Sequence, residues 1–402
     1  MSLFHRIVQL MLRVPALQKI RIFFYFYDTF LLRFIPKPKR KNKKQENLER
    51  PEKKKVLVVF THALGDAVIF YGSISYIFQL YPKEEYEVFL TCHKEYEELF
   101  KSQFHGIVPI DYRRANISLK YRITFLKRMR GEYYDIAIDP IGCEECSPNV
   151  YVMNAVCADK KIGILPKQDK KYQCPKWIRN NIYDVLLEEG KNVHKTKHYA
   201  KVWSVLANQD FKPLIAQLPV GKTKLLPAHF FVVYPSASIP VKRWPAERFG
   251  KIAQRIYQEK KWHLVVCGTE QDREVTEQFL NFAADIPVCN LLGKTTVLEL
   301  VEVIGRSQMV LTNDTSIYHI AVGTGRKTCV VSGGYVYDLF LNYLSIGYEL
   351  KSDIRIAIHK RSCMNCSNEC IYKVETVYPC VLENTVEEVW EKVSLLISEK
   401  EE

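Results

Sequence analysis

The chain lacks any long apolar run. Its most hydrophobic stretch, residues 20–35, is broken by Arg21, Asp28 and Arg33. The unbroken part is shorter than the ~20 residues that a helix needs to cross a bilayer. No compact apolar segment precedes a small-residue cleavage site, which argues against a cleaved signal peptide. No GxGxxG follows a strand-like segment, so a standard dinucleotide site is disfavoured. A DxD-like motif in a suitable loop is missing, and so is any repeat of solenoid period. Net positive charge is scarce beyond one end. Residues 1–55 hold 15 Lys and Arg against 4 Asp and Glu, which is eleven of the net +13. The remaining 347 of 402 residues are nearly balanced, which speaks against a nucleic-acid-binding core.

The leader, residues 1–55, has two parts. Residues 1–36 mix aliphatic and aromatic side chains with Arg6, Arg13, Lys19, Arg21 and Arg33, and Pro36 ends them. Lys37, Lys39, Arg40, Lys41, Lys43 and Lys44 follow as a polybasic tether. An interfacial helix with a tether suited to anionic headgroups fits this pattern. The alternatives are a disordered basic tail or a helix docked on the protein's own body. Twelve cysteines are present, most of them isolated on apolar strands like Cys267 and Cys329, where a thiol acts as a small hydrophobe. Without a secretory signal they indicate a reducing, cytosolic setting.

Length alone makes two domains the natural expectation. Residues 56–60 (VLVVF) form a solid apolar run of strand length, then a small-residue turn leads into a helical pattern over 67–80. Strand-like runs recur at 87–91, 107–110, 135–139 and 161–164, with helical or mixed stretches between, such as 116–130. A helix over 197–207 and a Pro- and Lys-punctuated span at 213–227 mark the linker. A second series starts at 230–234 and continues through strands at 263–267, 288–291, 309–312 and 328–332. Its helices are expected at 246–258, 272–282, 297–305 and 316–322, and one capped by Asn384 or Thr385 closes the chain. Alternation of this kind predicts two doubly wound α/β domains. Their boundaries fall at 56–222 and 223–384, with the terminal helix at 385–402. In such folds ligands sit beyond the carboxyl ends of the strands, so the two domains are expected to face each other across a cleft.

Four strand-to-helix turns carry groups of chemical interest. After 309–312 comes Asn313-Asp314-Thr315-Ser316, with His319 one helical turn beyond Thr315. A helix start turns free N–H groups and a positive dipole end toward a ligand, which favours phosphate. The plain alternative is that Asp314 only caps the helix. After 230–234, Ser236 and Ser238 leave room for a diphosphate, and Lys242 offers a mobile charge to it. Glu270 or Asp272 is placed to accept from ribose hydroxyls, or simply to favour a helix start. Asp66, directly after the first strand and turn, is a candidate general base for an attacking hydroxyl, or else an N-cap.

Taken together, Leu64-Gly65-Asp66, the PSAS and KRWP of 235–245, LLGKTT at 291–296 and NDTSIYHIA at 313–321 resemble glycosyltransferase family 9, the heptosyltransferases of bacterial lipopolysaccharide assembly. The similarity runs from residue 56 to about 395. It implies a GT-B fold with the acceptor held mainly by the N-terminal domain and a nucleotide sugar, typically ADP-heptose, by the C-terminal one. It implies metal-independent transfer with inversion. By the same resemblance Asp66 is the general base, Ser236, Ser238 and Lys242 cradle the diphosphate, and Lys294 and Thr295 belong to the donor side. Asp314, Thr315 and His319 match the family's Asp-Thr-Gly-x-x-His donor signature. Ser316 stands where the family has Gly, so the donor's geometry or identity is open to change. The expected partners are a nucleotide-sugar donor, a lipid-linked glycan acceptor and an anionic membrane surface at the inner face of the cytoplasmic membrane, with no nucleic acid. The rival readings are a GT-B transferase with another nucleotide sugar and a catalytically silent, membrane-bound assembly factor.

Cys363, Cys366, Cys370 and Cys380 have the spacing of a tetrahedral metal site or of two disulfides. A local staple, with zinc as the candidate metal and no role in catalysis, is the expectation. Cys143 and Cys146 form a second, less specific pair.

Overall fold

Segments that are apolar on both faces become interior strands. In β1 (Lys54–Val59), Leu57 and Val59 enter one core while Val56 and Val58 are fully buried on the other face, as a parallel sheet covered by helices requires. The computed structural model describes residues 25–38, 53–111, 114–115, 118–142, 148–165, 174–188, 193–346 and 352–398. Residues 1–24 and the tether 39–52 lie outside these, as do Cys143 and Cys146.

The first sheet adds β2 (Tyr86–His93), β3 (Gly106–Ile110), β4 (Tyr133–Ile138), β5 (Cys157–Leu165) and β6 (Val185–Glu188), in the order β3-β2-β1-β4-β5-β6. The second contains β7 (Phe230–Tyr234), β8 (His263–Val266), β9 (Val288–Asn290), β10 (Met309–Asn313), β11 (Lys327–Ser332) and β12 (Ile354–Ile358), in the order β12-β11-β10-β7-β8-β9. All pairings are parallel. Both sheets follow one plan, with the strand order reversing between β1 and β4 and between β7 and β10, where such folds bind ligands. The two doubly wound α/β layers are thus borne out.

The chain divides into two compact units, and the division does not follow chain order. Among the described residues, the first unit holds those up to Ala63, then residues 74–188 and Tyr199–Phe211. The second holds Leu64–Ser73, residues 193–198 and everything from Lys212 onward. The helix Leu64–Tyr71, with Asp66 in its first turn, therefore belongs to the second unit.

Helices of the second unit show why they form where they do. Ala246–Lys260 places Phe249, Ile252, Ala253 and Ile256 on one buried stripe against Phe231, Val233, Leu264 and Val266, the spacing of an amphipathic helix. Val297–Arg306 begins with a capping box in which Thr296 and Glu299 exchange bonds. Thr385 caps Val386–Ser398 in the same way with Glu388. Asn384 instead donates to the carbonyls of Ser332, Cys380 and Val381.

Two details differ from the periodicity. The single helix expected over 67–80 is two, Leu64–Tyr71 and Ile74–Leu80. A Cβ at Gly72 would lie 2.5 Å from the carbonyl oxygen of Leu214, so the break is where a neighbouring chain passes against bare backbone. Strands β6 and β12 were not expected. Both are edge strands, which carry weaker apolar signals.

Of the leader, residues 25–32 form a helix docked on the first unit. Tyr25, Leu32 and Ile35 join that core, and Asp28, fully buried, accepts from Arg122 Nε at 2.5 Å and Nη2 at 2.6 Å. For this part of the leader, docking on the protein's own body is the alternative that holds. No helix among the described residues is long and apolar enough to cross a membrane.

Candidate active site

The second unit's switch point is built around Asn313, the last residue of β10. Its amide donates to the carbonyls of Pro235 at 2.8 Å and Ser236 at 3.2 Å and accepts from the backbone N–H of Trp244 at 2.9 Å. One buried side chain thus ties the loop after β7 and the start of the next helix to the tip of β10. Buried polar groups need partners of this kind, and here they set the positions of Lys242 and Asp314.

Asp314 follows as the first residue beyond the strand. Lys242 Nζ stands 3.7 Å from its Oδ2 and 4.2 Å from the ring centroid of Tyr335. Burial raises the Asp314 carboxyl above its ordinary value, Lys242 and a hydrogen bond from Tyr335 oppose this, and Asp66 adds to it. Asp314 is not a helix cap. The N-cap of Ser316–Gly323 is Thr315, whose side chain makes no capping bond; its hydroxyl lies 3.3 Å from that of Thr312. Thr315 thus gives the first-turn N–H groups no side-chain acceptor, and such groups are what an anion at a helix start would use.

One turn on, His319 is buried with Nδ1 3.0 Å from the Tyr343 hydroxyl. Burial pushes the imidazole down to about 4, against the pull of the Asp66 carboxylate, so it is neutral at physiological pH. Burial, with Asp66 adding, also raises the Tyr343 phenol. The helix bearing Asp66 comes this close because Gly65 has no side chain: a Cβ there would sit 3.0 Å from His319 Cδ2 and 3.5 Å from Ser316 Cα. Asp66, Lys242, Asp314 and His319 are therefore one electrostatic group within one unit, whereas the domain boundaries read from the sequence put Asp66 in the first domain, apart from the other three.

The other expected donor residues are distributed differently. Ser236 is fully buried and donates to Asp272 Oδ1 at 2.7 Å, so its hydroxyl is spent inside the loop, whereas Ser238 is exposed. Asp272 Oδ2 closes a capping box with Thr269 N at 2.8 Å and Oγ1 at 2.9 Å, which corrects its expected place beside a ribose. Glu270 is exposed, paired with Arg273, and lies over Gly293. Lys294 is exposed and donates to the Asn290 carbonyl, and Thr295 is half-buried beside the capping Thr296.

Sequence reasoning missed Asn313 as an anchor, although its place between an apolar strand and Asp314 was a readable signal. It also missed Tyr335, Tyr343 and His194. His194 packs 4.5 Å from the Tyr343 ring and reaches the Phe340 carbonyl at 3.0 Å, with burial pushing it down to about 3. Nothing local marked these residues.

Cys363, Cys366, Cys370 and Cys380 line one small space with Tyr335 and Tyr378. None is in a disulfide. Burial and the neighbouring thiols raise Cys366 and Cys380. Yet among the described residues no three His, Cys, Asp or Glu side chains are arranged to hold a metal.

The fold and site define a class: a protein of two doubly wound parallel α/β units, one of which gathers a lysine, a histidine and two carboxylates at a strand tip. Residues 178–333 match the family model for glycosyltransferase family 9 (heptosyltransferase). Lipooligosaccharide heptosyltransferase 2 of Haemophilus influenzae is 30% identical over 97 residues, 23% of this chain and 28% of that protein. Lipopolysaccharide heptosyltransferase 2 of Escherichia coli is 27% identical over 97 residues, with the same shares. The chain thus spans little more than a quarter of the length of the curated relatives it matches. Among solved structures, a family 9 glycosyl transferase from Veillonella parvula superposes with a TM-score of 0.67 at 16% identity, over 88% of this chain and all of that one. The E. coli ADP-heptose lps heptosyltransferase II gives 0.61 at 17%, over 86% and 98%. At such identities the structures speak for the fold. The chain is thus similar to glycosyltransferase family 9 (heptosyltransferase) over residues 178–333 and shares the fold of its solved relatives.

Proposed function

We propose that the chain is an inverting, metal-independent glycosyltransferase that moves a sugar, heptose being the leading candidate, from a nucleotide-sugar donor of ADP-heptose type to a lipopolysaccharide core or related surface glycan. The observation that carries this reading is the meeting of Asp66 with His319 and Asp314 beside Lys242. Inverting displacement needs a base on one face of the sugar and charge neutralisation at the leaving group on the other. Asp66 takes the proton of the acceptor hydroxyl as the bond to the anomeric carbon forms. The departing diphosphate meets Lys242 and the uncapped N–H groups at Thr315 and Ser316, which do the work otherwise given to a divalent cation. His319, neutral and held by Tyr343, orients the sugar without adding charge. Ser238 and Thr315 supply hydroxyl donors, and Ser236, through Asp272, shapes the loop they share.

Asp66→Ala should lower turnover by roughly 10²–10⁴-fold while nucleotide-sugar affinity stays nearly unchanged; equal loss of both would count against the role. A panel of nucleotide sugars identifies the donor, and a silent assembly factor would show neither binding nor slow donor hydrolysis.

The acceptor reading places the protein at the inner face of the cytoplasmic membrane, with the basic leader on anionic headgroups. Replacing Lys39, Arg40, Lys41, Lys43 and Lys44 by Gln should weaken attachment to anionic liposomes. Deleting the whole leader would be a poorer test, since it would strip Asp28 from the buried Arg122. For Cys363, Cys366, Cys370 and Cys380 the proposal is a structural staple able to take zinc, with metal content after zinc loading as its test.

A further inference from the structure

The first unit has a second feature at the opposite end of its sheet from the strand tips. Where β4 and β5 begin, a cavity of about 360 Å³ opens against the docked leader helix. Arg33, Lys37, Arg130 and Lys161 line it, and no carboxylate does among the described lining residues. Two acids next to lining residues make other bonds: Asp159 accepts from the Tyr133 hydroxyl at 2.8 Å and Asp184 from the backbone N–H of Lys161 at 2.7 Å. Arg130 Nε is buried without a hydrogen-bond partner. Lys161 Nζ donates to the Met153 carbonyl at 2.7 Å, which leaves two of its three protons. Burial pushes Lys161 down to about 8 against the pull of Cys157 and Asp184, and Arg130 and Lys37 push it the same way as burial. Such a group of cations is stabilised by a bound anion.

The rim of the cavity says where that anion comes from. On the leader, Thr29, Leu32 and Arg33 face the cavity. The adjacent stripe of the helix, at 100° per residue, carries Phe26 and Phe30, and Phe34 lies just past the helix end; they are 56%, 53% and 71% exposed. Phe26 stacks on Trp177 at 5.4 Å, and Phe30 and Phe34 meet edge to face at 5.2 Å. Trp177 is itself 46% exposed. An exposed aromatic row beside a group of cations with no carboxylate among the described lining residues has the layout of a surface meeting the headgroup layer.

We infer that this cavity takes the phosphate of an acidic glycerophospholipid while Phe26, Phe30, Phe34 and Trp177 enter the interface beside it. The inference rests on the membrane-surface reading above and adds to it one headgroup site, beside the docked helix and separate from the net charge of the leader.

The full chain is assayed by co-sedimentation with vesicles of phosphatidylcholine alone and of phosphatidylcholine with phosphatidic acid, at low salt and at ~0.5 M salt, where diffuse attraction is screened. The wild type should keep its preference for phosphatidic acid at high salt. Arg130→Gln with Lys161→Gln should weaken that preference roughly tenfold or more, and Lys37→Gln, an exposed change that spares the fold, should weaken it less. Phe26→Ser with Phe30→Ser should weaken binding to both vesicles. Wild-type binding that is equal for all the cation variants would overturn the headgroup site and leave the membrane reading standing. Absence of vesicle binding by the wild type would overturn both. Tight uptake of soluble glycerol phosphate, with no vesicle preference, would assign the cavity to a free phosphate ligand and overturn the lipid source.

Discussion

The two switch points share one topology and are finished in opposite ways. In the first unit Asp139 follows β4 directly, as Asp314 follows β10. Asp139 accepts from Asn149 Nδ2 at 2.6 Å, the Tyr183 hydroxyl at 2.8 Å and the N–H groups of Ile141 and Gly142. Asn149 in turn donates to the Val59 carbonyl and accepts from both Thr61 N and Thr61 Oγ1. The crevice between β1 and β4 is laced shut. In the second unit Asn313 makes the corresponding ties, but Asp314 is left with a cation at 3.7 Å and a single phenol. A carboxylate whose acceptor sites are filled by the protein has a structural role, and one held loosely beside a mobile Lys retains capacity for a ligand.

The largest test of this contrast is a pair of substitutions. Asp139→Ala should destabilise the protein by about 3 kcal/mol or more, since it orphans buried Asn149 and Tyr183. Asp314→Ala should cost less, about 1 kcal/mol, because burial already disfavours the Asp314 charge and Lys242, still partly exposed, is able to turn to water. Urea midpoints decide it, and similar losses at both sites would end the distinction.

Next comes acid sensitivity. His319 has its ordinary value near 6.5 lowered to about 4 in the fold. The unfolded chain therefore takes the proton first, and the stability from keeping the ring neutral is complete above pH 6.5 and lost as pH falls through 4. That amounts to roughly 3 kcal/mol. His319→Gln should flatten this part of the stability–pH curve, and an unchanged slope would place the titration elsewhere.

Lys242→Met should weaken nucleoside diphosphate binding, read by calorimetry, by roughly 10–100-fold. Undiminished binding would move the phosphate site away from this crevice. The smallest effect is Gly65→Ala, at about 1 kcal/mol, because the new methyl meets His319 Cδ2 at 3.0 Å and the ring has to shift. Chemical shifts of the His319 ring would report it.

Much of the fold was legible because its signals are local. The apolar runs of β1, β7 and β10 and the stripe of Ala246–Lys260 need no partner to be seen. The four-residue β6 and the edge strand β12 went unseen, since only a neighbouring strand makes them strands. Within the site, the turns after β7 and β10 were readable, and Lys242, Asp314, His319 and Asp66 do gather. Ser236 and Asp272 were misjudged as ligand groups because a Ser and an Asp 36 residues apart give no hint that they bond each other. Tyr335, Tyr343 and His194 belong to the group through packing alone.

By itself the sequence determined the local alternation of strands and helices, the concentration of charge in the leader and the chemical types at each strand tip. These depend on neighbours within a few residues. Tertiary structure alone decided that Leu64–Ser73 leaves its own sheet to join the second unit, that the leader helix docks through Asp28 and Arg122, and that one Asp is sealed while its counterpart stays available. Those outcomes depend on which distant groups meet, and pairing, burial and desolvation energies are set only once they do.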